Sequence, residues 1–261
     1  MLLRIIIVIA ASIFMSAYLP NWAGAQHRNG IPVLLYHHVS DDHSDMPDLT
    51  ITVAEFGRQM NLLSSNGFQT ITLTDFREYM RGGEANLPEN PIIITFDDGY
   101  ADNYKNAFPI LKQNNLQAVI FMVGINFDRQ NRLSKENIKE MLKVGFAVGA
   151  HSMTHPDLRT LSDKKLHDEV FRSKETAATA SRSAVEFFAY PGGQYNLTVE
   201  ENVEAAGFQG AFTVLTGLNY PGRDHLYLLR RIPIFRFTDF DRLLVLLKSN
   251  HPKTGLLDYS L

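Results

Sequence analysis

Two carboxylates stand side by side at Asp97 and Asp98, closing the run Pro91-Ile-Ile-Ile-Thr-Phe-Asp-Asp-Gly-Tyr100, and two imidazoles follow in His151-Ser-Met-Thr-His155. Neighbouring like charges repel, and burying either without a partner is costly. A cation beside the pair, or acid–base work for one member, removes the difficulty. Two imidazoles and one carboxylate make an open three-ligand site for Zn²⁺ or a similar divalent ion, with room for water. One aspartate can then ligate the ion while its neighbour stays free as a base. The chain has no cysteine among its 261 residues. Thiolate metal sites, disulfides and cysteine nucleophiles are therefore excluded, and only His, Asp and Glu remain to hold a metal. Gly149 precedes the histidines and Pro156 follows them, which disfavours a helix through His155, and no H-E-x-x-H glutamate is present. The spacing predicts a strand-end loop rather than a zincin helix.

Two more polar clusters are Tyr36-His37-His38 and Tyr190-Pro-Gly-Gly193. Taken singly, each cluster has an ordinary structural reading: a solvated histidine pair, an Asp-Asp-Gly turn, surface histidines, a Tyr-Pro-Gly-Gly turn. What joins them is position, because each follows a strand-like apolar run. Such runs lie at 33–36, 92–96, 118–123, 146–150, 187–190, 210–214 and 228–234. Several lack polar alternation, as expected for strands covered on both faces. Helical patterns lie between them. Phe56, Met60 and Leu63 share a face closed by Gly67; Ser134 caps a helix carrying Ile138, Met141 and Leu142, with Leu133 as its staple and Gly145 as its stop. Ser162 starts another with Leu161 against Leu166, and two more occupy 198–206 and 239–248. Strand and helix alternating about seven times predicts a parallel α/β sheet or barrel, with chemistry at the C-terminal strand ends. All four clusters fall at such ends.

Composition adds exclusions. An apolar fraction of 45% and a charged fraction of 20% are ordinary for a globular protein. A formal charge of −3 gives no reason to expect nucleic acid or an anionic membrane surface as partner. A monomer is expected. The first 25 residues carry Arg4, a short apolar run and the small-x-small site Ala23-Gly-Ala25, the pattern of a secretory signal. The alternative is an uncleaved anchor, since the run approaches the roughly 17–25 residues of a spanning helix. Either way residues 26–261 are read as one exported domain, secreted or held in the periplasm or cell envelope.

Thr95-Phe-Asp-Asp98 followed by His151-Ser-Met-Thr-His155 resembles the first two motifs of the polysaccharide deacetylases (carbohydrate esterase family 4, NodB-like domains). The resemblance spans 32–234. It implies a distorted (β/α) barrel and metal-dependent deacetylation of N-acetylated sugars, with a polysaccharide as partner. By position it implies Asp97 as general base and Asp98, His151 and His155 as ligands of a divalent metal, Zn first, with Co, Ni or Mn as alternatives. The chain departs from the family pattern at its third motif: Ala189 stands where an arginine orients the catalytic aspartate, and Gly192 replaces a tyrosine. The Gly192 backbone N–H can still serve an oxyanion, and Tyr190 is a substrate-side candidate. The late histidine that acts as acid has no match, because Leu229-Arg-Arg-Ile-Pro-Ile234 occupies that region.

Similar absences mark the branch acting on poly-N-acetylglucosamine, whose members carry a Tyr-His pair on the first strand. Leu34-Leu-Tyr-His37 is similar to this element, which makes His37 the candidate acid for the leaving amine and His38 the runner-up. Arg231, at a strand end, is assigned to the gap left by the missing arginine as a partner of Asp97, and it is grouped with Gly192, Tyr190 and His38 as a candidate on the substrate and oxyanion side. The expected activity is removal of N-acetyl groups from N-acetylglucosamine-containing glycan. An O-deacetylase of acetylated polymers and a catalytically weak glycan-binding relative are the alternatives. A phosphoryl-transfer enzyme is disfavoured, because no Gly-rich phosphate cradle accompanies the aspartates.

Overall fold

The structure, a computed structural model, describes residues 30–43, 46–83 and 85–249. The signal-like segment 1–25 lies outside the described residues. The elements in chain order are β1 (Val33–Tyr36), β2 (His38–Val39), β3 (Thr50–Ile51), α1 (Val53–Ser65), β4 (Phe68–Thr70), α2 (Leu73–Met80), β5 (Asn90–Asp97), α3 (Phe108–Gln113), β6 (Val119–Met122), α4 (Lys135–Leu142), β7 (Ala147–Ala150), α5 (Asp163–Ser181), β8 (Phe187–Ala189), α6 (Leu197–Ala205), β9 (Gly210–Phe212), β10 (Ile232–Pro233) and α7 (Phe240–Ser249). A π-helical turn at Asn103–Ala107 leads into α3. No helix among the described residues is long and apolar enough to cross a membrane.

The main sheet runs β10-β1-β5-β6-β7-β8-β9 with every pairing parallel, and β4 lies along the start of β5. Its two outer strands are linked by the chain between them. The Leu229 N–H donates to Ala211 O at 2.9 Å and the Thr213 N–H donates to Leu229 O at 2.8 Å, while Ile232 pairs with Leu34 of β1. The sheet thereby curls into a distorted barrel of (β/α) type. The run 228–234, expected as one strand, is regular only over Ile232–Pro233. It changes partner from β9 to β1, and Arg231 sits where the change occurs.

Strand alternation sorts the core. Ile92, Ile94 and Phe96 of β5 pack outward with the helices, while Ile93 joins Val33, Val119, Phe121, Phe187, Ala189, Phe212 and Leu229 inside the barrel. Helix α2 adds Leu73, Phe76 and Met80 to that inner cluster, so the interior is packed rather than hollow. A Cβ at Gly149 would overlap the Phe121 ring, and that close approach requires glycine in β7. The period of two that turns Ile93 inward does the same for Thr95 and Asp97. Thr52, Thr72 and Asn196 cap α1, α2 and α6, and Ser134 with Asn137 forms a capping box on α4. Helices α2 and α3 and strands β2–β4 were not expected from the sequence; they are short, and three or fewer buried apolar residues give little periodicity to read.

Candidate active site

Asp97 ends β5 with its carboxylate inside the barrel, 2% exposed. Arg231, with no exposed surface, meets it there in a two-armed contact: each terminal nitrogen donates to one carboxylate oxygen at 2.7 Å. The guanidinium is held in turn by Thr213 O, which accepts from Nε at 2.9 Å, and its carbon lies 5.7 Å from the Phe121 ring centre. Burial by itself would raise the Asp97 carboxyl; the Arg231 charge and hydrogen bonds, with His151 and His37, outweigh it and hold it down at about 2. Asp97 is therefore ionised across ordinary pH. Arg231 was also a substrate-side candidate, and the structure corrects that part: its donors go to Asp97, Thr95 and Thr213, and no part of it is accessible to a ligand.

Asp98 leaves the strand direction at once, with φ 70 in the left-handed region, followed by Gly99 at φ 69. That turn is sterically costly for a residue with a Cβ and is held from outside. The Asp98 carbonyl accepts from Asn126 Nδ2 at 3.2 Å and from Arg132 at 3.4 Å. The result brings Asp98 Oδ1 to 3.6 Å from His155 Nε2 and 3.8 Å from His151 Nε2. The His151 Nδ1–H donates to Ala189 O at 2.7 Å, which leaves the Nε2 lone pair aimed at the carboxylates. His155, φ 64, sits in the loop after β7 with 41% of its side chain exposed. Burial and then the His151 charge lower its imidazole below the usual value, so the neutral, ligating form prevails at neutral pH.

These three side chains offer ligand atoms all within 4.8 Å of one another. The individual gaps are too long for hydrogen bonds, and close to the ~3.4 Å that separates ligand atoms on a tetrahedral ion with ~2.1 Å bonds. One fixed imidazole, one exposed imidazole and one carboxylate therefore suit a divalent cation. The donors are hard and borderline, with no sulfur, and the exposure of His155 leaves a side open to solvent.

His37 follows β1 and faces the same centre, and its charge environment is set by Asp97, Asp98, Arg231 and His151. Burial lowers its imidazole, the two carboxylates push it back up, and the net direction is down. Its backbone carbonyl accepts from Asn103 Nδ2 at 2.7 Å. His38 is turned elsewhere: Nδ1–H donates to Asp102 Oδ2 at 2.6 Å and the ring lies on Tyr100 at 3.5 Å. Successive residues point to opposite sides, so only one of the two histidines can share the carboxylates' space. His38 lines a polar cavity of about 530 Å³ with Tyr100, Asp102, Lys105 and Arg132. Tyr190 is corrected too. It follows Ala189, an inward position, so its side chain turns outward, fully buried, and its hydroxyl donates to Tyr227 O at 3.1 Å. It is a packing residue. Gly192 is exposed after β8 with φ 57, a left-handed turn that glycine makes without strain.

Other residues at the site were missed from the sequence. Ala189 contributes its carbonyl, a group that no side-chain pattern announces. Glu169 of α5 reaches the loop between the two histidines, accepting from the Met153 and Thr154 N–H groups at 2.9 and 2.8 Å and from the Thr154 hydroxyl at 2.6 Å. Its signal was a carboxylate between the buried Leu166 and Val170 on the inner stripe of a helix.

Comparison with known proteins agrees with this geometry. A family model described as polysaccharide deacetylase matches residues 84–211, which include both aspartates and both histidines. The YxkH protein of Bacillus subtilis (strain 168), named for the same family, is 31% identical over 214 residues, 82% of this chain and 74% of that one. The poly-beta-1,6-N-acetyl-D-glucosamine N-deacetylase of Staphylococcus aureus (strain MRSA252) is 24% identical over 82% of this chain and 78% of its own. Among solved structures, the Streptococcus pyogenes deacetylase PplD in complex with acetate superposes with a TM-score of 0.76 at 25% identity, covering 83% of this chain and 97% of its own. With the barrel, the motif residues at its rim and these relatives in agreement, the chain belongs to the polysaccharide deacetylase family of hydrolases.

Proposed function

We propose that the protein removes N-acetyl groups from N-acetylglucosamine-containing polysaccharide, with Asp98, His151 and His155 holding a divalent metal and Asp97 acting as base. The observation that carries the proposal is the contrast at one dipeptide: an ionised, clamped carboxylate beside a carboxylate grouped with two imidazoles. When bound, the ion supplies Lewis-acid polarisation of the acetyl carbonyl and lowers the pKa of water. The chain's own groups do the rest. Asp97, fixed in direction by Arg231, takes the proton of the attacking water. The Gly192 N–H stands at the rim for the developing oxyanion. The proton that Asp97 takes from the water passes to the departing amine through His37, whose charged form Asp97 and Asp98 favour.

The Staphylococcus aureus relative at 24% identity supports a poly-N-acetylglucosamine substrate. The signal-like start of the chain supports action outside the cell or in its envelope. The test is acetate release from N-acetylglucosamine oligomers and from acetylxylan, each with and without chelator. Chelator-sensitive release from the N-acetyl substrate is expected. Release from acetylxylan alone would make the protein an O-deacetylase, and release from neither, with glycan still bound, would make it a binding relative.

A further inference from the structure

The loop His151-Ser-Met-Thr-His155 carries two of the three grouped ligands, and its backbone is awkward: Ser152 and His155 both have positive φ, at 58 and 64. Residues with a Cβ hold such angles only when their surroundings impose them. The peptide groups here are fixed from two sides. On one side the loop after β6 supplies backbone donors, Gly124 N–H to Ser152 O and Ile125 N–H to Met153 O, both at 2.9 Å. On the other side the donors of the loop itself need acceptors. The His151 N–H finds Met122 O and the His155 N–H finds Ser152 Oγ, each at 2.9 Å. The N–H groups of Met153 and Thr154 have no such local partner; both are bound by one carboxylate oxygen of Glu169, whose second oxygen takes the Thr154 hydroxyl. Glu169 belongs to α5, a helix also packed on Met153 through Thr176, whose hydroxyl lies 3.7 Å from the sulfur.

We infer that Glu169 is a positioning residue for the metal site: its carboxylate holds the left-handed loop in the shape that brings His155 to Asp98 and to His151, which Ala189 and Met122 already hold. This rests on the proposal that those three residues bind a divalent ion. Glu169 touches neither ligand imidazole and lies outside the acid–base set. Charge-assisted bonds to two adjacent backbone N–H groups are the strong kind. Without them the loop can relax from its positive-φ turns, and the His155 imidazole then no longer starts from a ligating position. The binding free energy has to reorder it, which weakens affinity while leaving the chemistry of a filled site largely intact.

The test is the zinc dissociation constant of the purified protein, measured by competition with a chromophoric chelator, for wild type, Glu169→Ala and Glu169→Gln. Glu169→Ala is expected to weaken zinc binding by about 10–100-fold, the usual effect of losing an outer partner of a metal site. Glu169→Gln is expected to fall between, because its amide oxygen can still accept both N–H groups and its NH₂ can turn to the Thr154 hydroxyl. Amide exchange at Met153 and Thr154 in the metal-free protein should accelerate in the same order, a readout independent of activity. Turnover at saturating zinc should recover far more in Glu169→Ala than in His155→Ala. If both Glu169 variants bind zinc as tightly as wild type, the inference is wrong. If wild type binds no divalent ion, the metal reading itself fails. Should Glu169→Ala not fold, Glu169→Gln decides alone.

Discussion

Asp97 meets Arg231 inside the barrel through both oxygens at 2.7 Å, whereas Asp98, one residue on, turns left-handed into a group of imidazoles 3.6–3.8 Å away. The first half of the site is complete as a protein structure. Its charges cancel and its geometry is fixed by hydrogen bonds. The second half gathers one carboxylate and two imidazoles with ligand atoms within 4.8 Å of one another, at separations too long for hydrogen bonds in the two carboxylate–imidazole pairs. Two identical residues in sequence thus receive different chemistry from their surroundings. Strand alternation directs Asp97 inward, and the backbone reversal at Asp98 and Gly99 directs its neighbour to the rim.

Breaking the open half should cost most. His151→Ala is expected to abolish bound metal, read by elemental analysis, and deacetylation with it, because the buried and fixed ligand is gone. Asp97→Asn should sharpen the contrast: turnover falls by about 10²–10⁴, the usual worth of a positioned base, while metal content stays near wild type. A variant that lost metal as well would show that the two halves are not separate.

Arg231→Ala attacks the closed half through its partner. It leaves a buried carboxylate uncompensated, and such losses run to about 3–5 kcal/mol in urea unfolding. His155→Ala, on an exposed side chain in the open half, should cost under about 1 kcal/mol. Without Arg231, burial is left as the main influence on Asp97 and raises its carboxyl. The acid limb of kcat/KM should then move to higher pH, where the wild type has none from this group.

Smaller than the loss of Arg231 is the pH dependence of stability itself. Asp97 is held near 2 in the folded protein, against about 3.9 for an unstructured aspartate. A depressed folded value stabilises above the unfolded value, so the contribution is present above pH ~4 and lost as pH falls toward 2. It amounts to about 2–3 kcal/mol. Urea midpoints of wild type taken from pH 5 to 2.5 should fall more steeply than those of an Asp97→Asn, Arg231→Met pair variant, which lacks the linkage.

Much of the fold was legible because buried parallel strands announce themselves: the runs near 92–96, 118–123 and 146–150 are apolar without alternation, and a helix capped at Ser134 and stopped at Gly145 separates the last two. The run at 228–234 was misjudged because its residues suit a strand while its partners change midway, which no propensity records. The site divided similarly. The two aspartates and two histidines stood out by residue type and spacing. His37 and His38 differ only in which side of the chain they occupy, and Tyr190 resembles a ligand-facing aromatic until alternation is counted from Ala189 outward.

What the sequence by itself determined is the inventory and its order: an α/β alternation, a carboxylate pair ending one apolar run, a histidine pair after another, and no cysteine. These follow from short-range chemistry, where residue type and periodicity suffice. The tertiary structure alone decided the pairings across the barrel. Ala189 fixes His151 with a carbonyl, Glu169 binds the loop between the two histidines, and the Arg231–Asp97 partnership, expected from the gap in the motif, takes its two-armed geometry across 134 positions of chain. Each of these depends on where the sheet closes and how a helix docks. Such contacts are set by the packing of the whole core rather than by the residues that make them.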